Sequence, residues 1–81
     1  MNEYELNEDQ IRRIEARLNL LRMDMEEYKD GKDIQHYKQY AYAAGRANGI
    51  CMMLDELGYD AVWNSELGRC QLRRAQRDGR Q

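Results

Sequence analysis

The sequence predicts an all-α fold: an antiparallel αα-hairpin of two long helices plus a short C-terminal helix, assembled as a dimeric helical bundle. Apolar residues recur at helical spacing through two long segments, and the chain contains no proline. Leucine, isoleucine, valine and phenylalanine supply only 13 of the 81 residues, so one chain has a thin core and gains from a second copy. Residues 1–81 are interpreted as one domain, since chains of this length seldom divide.

Helix 1 is predicted from about residue 8 to residue 29. Asn7 is a favoured N-cap, and Gln10 stands where a capping box places glutamate or glutamine. Gly31 suits the left-handed turn that ends a helix. The apolar seam has the heptad spacing typical of a coiled coil and consists of Ile11, Ile14, Leu18, Leu21, Met25 and Tyr28.

Helix 2 is predicted from about residue 33 to residue 57, with Asp33 as its N-cap and Gly58 as its left-handed end. Two glycines, Gly45 and Gly49, lie inside it, and each costs about 1 kcal/mol relative to alanine. We therefore expect another backbone to approach them closely. One apolar stripe consists of Tyr37, Tyr40, Ala44, Ala47, Cys51 and Leu54, and a second of Tyr42, Ile50, Met53 and Leu57. Apolar residues on both sides indicate a helix packed between two others.

A short third helix is predicted from about residue 65 to residue 77, followed by a basic tail to residue 81. Gly68 weakens this helix and its pattern is short, but five residues offer apolar contacts: Val62, Trp63, Leu67, Cys70 and Leu72. This helix is expected to fold back on the second stripe of helix 2.

A homodimer is the expected assembly. A small apolar patch on helix 1 and the second stripe of helix 2 would both remain exposed in a single hairpin, and a second copy would cover them. The predicted interface consists of Ala16, Leu20, Met23, Tyr42, Ile50, Met53 and Leu57.

The C-terminal segment offers an alternative partner, a nucleic acid. Residues 69–81 carry a net charge of +4, whereas residues 1–30 carry −4. The candidate phosphate contacts are Arg69, Arg73, Arg74, Arg77 and Arg80. The overall charge of −2 and the lack of aromatic residues among these arginines favour a solvated tail. A further alternative is an acidic decoy, in which helix 1 presents its carboxylates to the basic groove of a nucleic-acid enzyme.

The sequence predicts no enzyme, no metal site and no cofactor. His36 is the only histidine, and no nucleophile stands beside it as a partner. Cys51 and Cys70 form no CxxC pair and are interpreted as reduced thiols. No segment has the length of a membrane span, and the polar N-terminus lacks the features of a signal peptide, so a cytoplasmic protein is expected.

The run from Tyr40 to Ile50, followed by Leu54-Asp55-Glu56-Leu57-Gly58-Tyr59, resembles the second helix of small phage and prophage proteins. Those proteins pair an acidic first helix with a Gly-x-Ala-x-Gly-Ile core and a Leu-Gly-Tyr ending. The resemblance implies an accessory protein of a phage or mobile element, which binds and modulates a host macromolecule, and it carries no catalytic residues. Together with the exposed apolar faces and the lack of a catalytic set in the sequence, this resemblance predicts a non-enzymatic protein–protein interaction module.

Overall fold

The computed structural model describes residues 5–75, which form two helices followed by two strands. Helix α1 spans Glu8–Tyr28 and helix α2 spans Ile34–Leu57; strand β1 spans Tyr59–Asn64 and strand β2 spans Arg69–Arg74. A link of five residues joins the helices, so α2 turns back antiparallel to α1. The two helices begin and end within one residue of their predicted bounds.

The start of α1 is determined by its capping box. The Asn7 side chain accepts the N–H of Gln10 at 2.8 Å, and the Gln10 side chain accepts the N–H of Asn7 at 2.9 Å. Two of the N–H groups that a helix leaves unbonded at its start are thereby satisfied. The predicted capping box is confirmed.

Helix α2 is likewise bounded by local signals. Asp33 accepts the N–H of His36 at 2.9 Å. At the other end Gly58 adopts a φ of 89° and donates its N–H to the carbonyls of Asp55 and Leu54. A residue with a Cβ is strained at that φ, which explains glycine at this position. The chain then leaves the helix directly into β1.

The predicted helix over residues 65–77 is wrong, and with it the all-α class. The chain forms an antiparallel β-hairpin in which Tyr59 pairs with Arg74 and Asn64 with Arg69. Residues 76 and 77 lie outside the described residues. The all-helical bundle is therefore corrected to two helices covered by a two-stranded sheet.

The helix prediction failed because the apolar residues of this segment fit the two-residue period of a strand as well as the period of a helix. Side chains of a strand alternate between its faces, so Tyr59 and Ala61 of β1 meet the helices while Asp60 points away. Trp63 and Cys70, seven positions apart, fit one helical stripe, yet they are cross-strand partners. The turn between them is stabilised by Asn64, whose side chain accepts the N–H groups of Glu66 and Leu67 at 3.0 and 3.1 Å.

The core lies between the helices and the inner face of the hairpin. Within residues 5–75 the buried apolar side chains are Leu18, Leu21, Ala43, Leu54 and Tyr59. Leu18, Leu54 and Tyr59 contact one another and are surrounded by partly buried residues of both helices and both strands. The Tyr59 hydroxyl accepts the N–H of Leu6 at 3.0 Å, which ties the segment before α1 to the sheet.

Side chains of α1 seal the outer edge of β2. Asn19 accepts the N–H of Cys70 at 2.8 Å and donates to its carbonyl at 3.3 Å, and Glu15 accepts the N–H of Leu72 at 2.7 Å. An unpaired strand edge would otherwise expose these backbone groups. Helix and hairpin are thus joined by hydrogen bonds as well as by apolar contact.

Candidate functional site

An apolar concave surface lies along α2, beside Ile14 of α1. We call it the α2 surface and define it by Tyr42, Gly45, Arg46, Gly49, Ile50 and Met53. A groove of about 430 Å³ is bordered by four residues of this surface and by Ile14 of α1, Leu54 and Leu57; the four are Arg46, Gly49, Ile50 and Met53. Met53 is 61% exposed and Tyr42 is 63% exposed. Large apolar side chains in a continuous exposed groove are typical of a surface that binds a partner.

The two glycines of the α2 surface face open space. A Cβ built on Gly45 or Gly49 meets no heavy atom within 4 Å, so no described residue makes the predicted close approach. Both positions would accept alanine within this chain, with a gain of about 1 kcal/mol each in helix stability. The glycines therefore have no packing role within residues 5–75.

The charges of α2 are separated along its length. Its basic residues, Lys38 and Arg46, lie in the first two thirds, and its acidic residues, Asp55 and Glu56, lie in the last turn. Arg46 is oriented by Tyr42, whose hydroxyl accepts a guanidinium N–H at 2.9 Å and whose ring lies 5.3 Å below the guanidinium carbon.

The predicted interface residues fall in two places. Tyr42, Ile50 and Met53 belong to the α2 surface, and Leu57 borders the same groove. The remaining residues are exposed on α1, where they form a separate patch: Ala16, Leu20 and Met23. Within residues 5–75 no third helix covers the second stripe: Ile50 and Leu57 are half-buried against the core, whereas Tyr42 and Met53 remain exposed.

A second concavity of about 500 Å³ lies between α1 and the hairpin tip. It is bordered by Met23, Arg69 and Trp63, and the Arg22 guanidinium stacks 3.9 Å from the Trp63 ring centroid. Stacking of this kind is attractive, because the ring face is negative. The cation already occupies one face of Trp63, which leaves less of the ring for a ligand.

The candidate phosphate-binding arginines are not brought together. Arg69 and Arg73 are exposed on β2, whereas Arg74 points to the other face, 5.1 Å from the Tyr59 ring centroid and 3.9 Å from a Glu5 carboxylate oxygen. Arg77 and Arg80 lie outside the described residues. Four of the helix 1 acids are also engaged: Glu8 and Asp9 pair with arginines of the same helix, Glu26 pairs with Lys29, and Glu15 binds β2.

The contacts of His36, the single histidine, lie at the link between the helices. The His36 ring lies 3.2 Å from the Asp30 carboxylate and edge-on to Tyr28, where it helps to fold the link between the helices. The N–H of Lys32 and the His36 ring hold the pKa of Asp30 below its usual range. Among residues 5–75, no group of three or more histidine, cysteine or acidic side chains is placed to hold a metal ion.

The two thiols border one small cavity, of about 220 Å³, and differ in exposure. Burial raises the pKa of the Cys70 thiol, and the neighbouring Cys51 and Glu15 add to the effect. Because the thiolate is the reactive form, we expect iodoacetamide at pH 8 to alkylate exposed Cys51 well before Cys70, as measured by peptide mass spectrometry. In urea the two rates should become similar; equal rates in the folded protein would contradict the described burial.

Two contacts that position the hairpin were not predicted from the sequence. Asn19 and Glu15 contact residues 51 and 57 positions away, and no local pattern marks such partners. The sequence indicates these contacts only by placing an amide and a carboxylate next to the apolar seam of α1.

Comparisons with family models, curated proteins and solved structures return no match to this chain. Within residues 5–75, neither helix has the length and apolar character needed to cross a bilayer.

Proposed function

We propose that this chain is a non-enzymatic protein–protein interaction module that binds through the α2 surface, where a second copy of the chain, forming a homodimer, and another protein would compete for the same groove. The observation that carries the proposal is the groove beside Ile50 and Met53, which is almost wholly apolar and which no described residue covers. Burying such a surface releases about 25 cal/mol per Å² of apolar area. A macromolecular partner can cover the whole groove, and so it gains more free energy from this burial than a small molecule does.

The charge distribution supports a protein partner over a nucleic acid. Arg69, Arg73 and Arg74 do not share one face of β2, and Arg74 is engaged by Tyr59 and Glu5. A duplex or single strand is bound by several cations aligned along its backbone. The described residues offer no such alignment.

The resemblance to small phage proteins adds a biological setting to the proposal. It rests on residues that include Gly45, Gly49 and Ile50 of the α2 surface. In that setting the module is an accessory protein of a phage or mobile element, found in the host cytoplasm, and its further partner is a host protein.

The proposal predicts that Met53→Asp abolishes binding without unfolding the chain. Met53 is exposed, so a carboxylate there leaves the fold intact but places a charge in the apolar groove. The measurement is affinity capture from a nuclease-treated extract of the native host, with wild type and variant compared by quantitative mass spectrometry.

The matched control is Leu20→Asp, which places the same charge on the exposed patch of α1. Proteins captured by wild type and by Leu20→Asp, but lost with Met53→Asp, support the α2 surface. Equal capture by Met53→Asp contradicts it. Loss only with Leu20→Asp would move the binding surface to α1, and capture of nucleic acid that falls steeply with salt would favour the arginines instead.

A further inference from the structure

We propose that the outer edge of β1 is a docking site for an extended peptide, which adds to the hairpin as a third, antiparallel strand. The site consists of the outward backbone groups of Ala61 and Trp63 and of the neighbouring side chains of Asp60 and Val62. It shares no residue with the α2 surface, so it is a second binding site and does not depend on the proposed function.

The register of the hairpin determines which backbone groups face outward. Ala61 pairs with Leu72, and Trp63 pairs with Cys70. The N–H groups of Leu72 and Cys70 bond to side chains of α1, so they point away from β1. In an antiparallel ladder, two opposite residues exchange either both hydrogen bonds or none. The N–H and C=O groups of Ala61 and Trp63 therefore point away from β2.

The two outer edges of the hairpin differ in how these groups are satisfied. The edge of β2 is capped by Asn19 and Glu15 of α1. Along β1, no described residue bonds to the outward groups of Ala61 or Trp63. Strand β1 also carries no lysine, proline or bulge, the features that commonly block an exposed edge. Donors and acceptors at strand spacing are matched by an extended backbone.

A single peptide strand fits this edge, whereas a second copy does not. On one face of the sheet, α1 contacts β2 and α2 contacts β1. Packed helices are about 8–10 Å apart and neighbouring strands only about 4.8 Å, so α2 extends beyond the edge of β1. Antiparallel pairing of two β1 edges would bring two α2 helices into the same space. A lone strand avoids this clash, and α2 lies beneath it.

The side chains along β1 define the chemistry of the peptide. Asp60 and Val62 are half-buried on the face of the sheet that points away from the helices. In an antiparallel third strand, the residue opposite Val62 comes two positions before the residue opposite Asp60. A β-branched residue is favoured at the first position and lysine or arginine at the second, because such cross-strand pairs are attractive.

Amide hydrogen exchange of the full chain gives the first test. In the free protein, the N–H groups of Ala61 and Trp63 should exchange with deuterium much faster than those of Cys70 and Leu72, since α1 protects only the β2 edge. Equal protection of the two edges overturns the inference, because the β1 edge would then already be covered.

The second test is an NMR titration of the isotopically labelled full chain with the peptide acetyl-Thr-Val-Thr-Lys-Thr-amide. Its valine is placed opposite Val62 and its lysine opposite Asp60. We expect a dissociation constant of about 0.1–1 mM, with the Ala61 and Trp63 amides shifted and protected. N-methylation of the third peptide residue, which bonds to Ala61, should weaken binding about tenfold or more. N-methylation of the second residue, whose N–H points to solvent, is the matched control and should leave binding nearly unchanged.

Two variants of the chain locate the site. Ala61→Pro removes one outward N–H and no bond of the hairpin ladder, so the hairpin should form while peptide binding weakens about tenfold. Met53→Asp, on the α2 surface, should leave peptide binding unchanged. If Ala61→Pro does not fold, the two methylated peptides decide the question.

The inference is overturned if about 5 mM peptide, well above the expected dissociation constant, shifts no amide of β1. Equal binding of the two methylated peptides overturns it as well. Shifts confined to Ile50 and Met53 would assign the peptide to the α2 surface instead. Protection of Ala61 that increases with protein concentration in the absence of peptide would make a second copy the occupant and would also overturn it.

Discussion

Replacement of Leu54 by alanine is expected to lower the free energy of unfolding by about 2–5 kcal/mol, the usual cost of removing a buried leucine side chain. Leu54 is 2% exposed and lies where both helices and the hairpin meet, in contact with Leu18 and Tyr59. Because the hairpin covers it from above, neighbouring side chains have little freedom to close the cavity. Domains are typically stable by only about 5–15 kcal/mol, so this one change removes a large part of the total.

The measurement is urea unfolding followed by the circular dichroism of the helices and by the fluorescence of Trp63. The control is Met52→Ala, an exposed position two residues earlier on the same helix, which should change the free energy of unfolding by less than about 0.5 kcal/mol. Similar losses in the two variants would show that Leu54 is not at the centre of the core.

Replacement of Asn19 by leucine is expected to destabilise the fold by about 1–3 kcal/mol, although leucine is the better helix former. The amide binds both the N–H and the carbonyl of Cys70. Leucine leaves these partly buried backbone groups without a protein partner, and that cost exceeds the gain in apolar contact. Asn19→Asp should lie between wild type and Asn19→Leu, because it keeps the acceptor and loses the donor.

Two readouts separate this role from a general loss of packing. The Cys70 amide should exchange with solvent deuterium much faster in Asn19→Leu than in wild type, while amides in the middle of α2 change only with global stability. Asn48→Leu, an exposed amide on α2, is the control and should leave the Cys70 amide protected. If the Cys70 amide stays equally protected in Asn19→Leu, then its protection does not depend on the hydrogen bond to Asn19.

The sequence predicts the α2 surface better than it predicts what surrounds it. Tyr42, Ile50, Met53 and Leu57 follow from helical periodicity alone, which is a local property. Their grouping with Ala16, Leu20 and Met23 depended on a third helix or second subunit that bridges both helices. In the structure those three residues are exposed on α1, and within residues 5–75 no third helix joins them to the α2 surface.

Residues 59–74 show why the C-terminal element could not be predicted. Trp63, Leu67 and Cys70 satisfy the helical period, and Tyr59, Ala61 and the strand partner Leu72 satisfy the strand period equally well. Short apolar patterns of this kind are ambiguous, and an isolated two-stranded hairpin is marginal in water. The strand form gains its stability from Leu18, Leu54 and the two polar side chains of α1.

By itself the sequence determined two helices and their ends, because a capping box at Asn7, a cap at Asp33 and a left-handed glycine at Gly58 each act within a few residues. It also determined the thin core and the apolar second side of α2. Only the tertiary structure decided that the last element is a β-hairpin and which side of α2 remains open. Those outcomes depend on contacts between residues more than 50 positions apart, such as Asn19 with Cys70, and no local pattern encodes the free energy of such contacts.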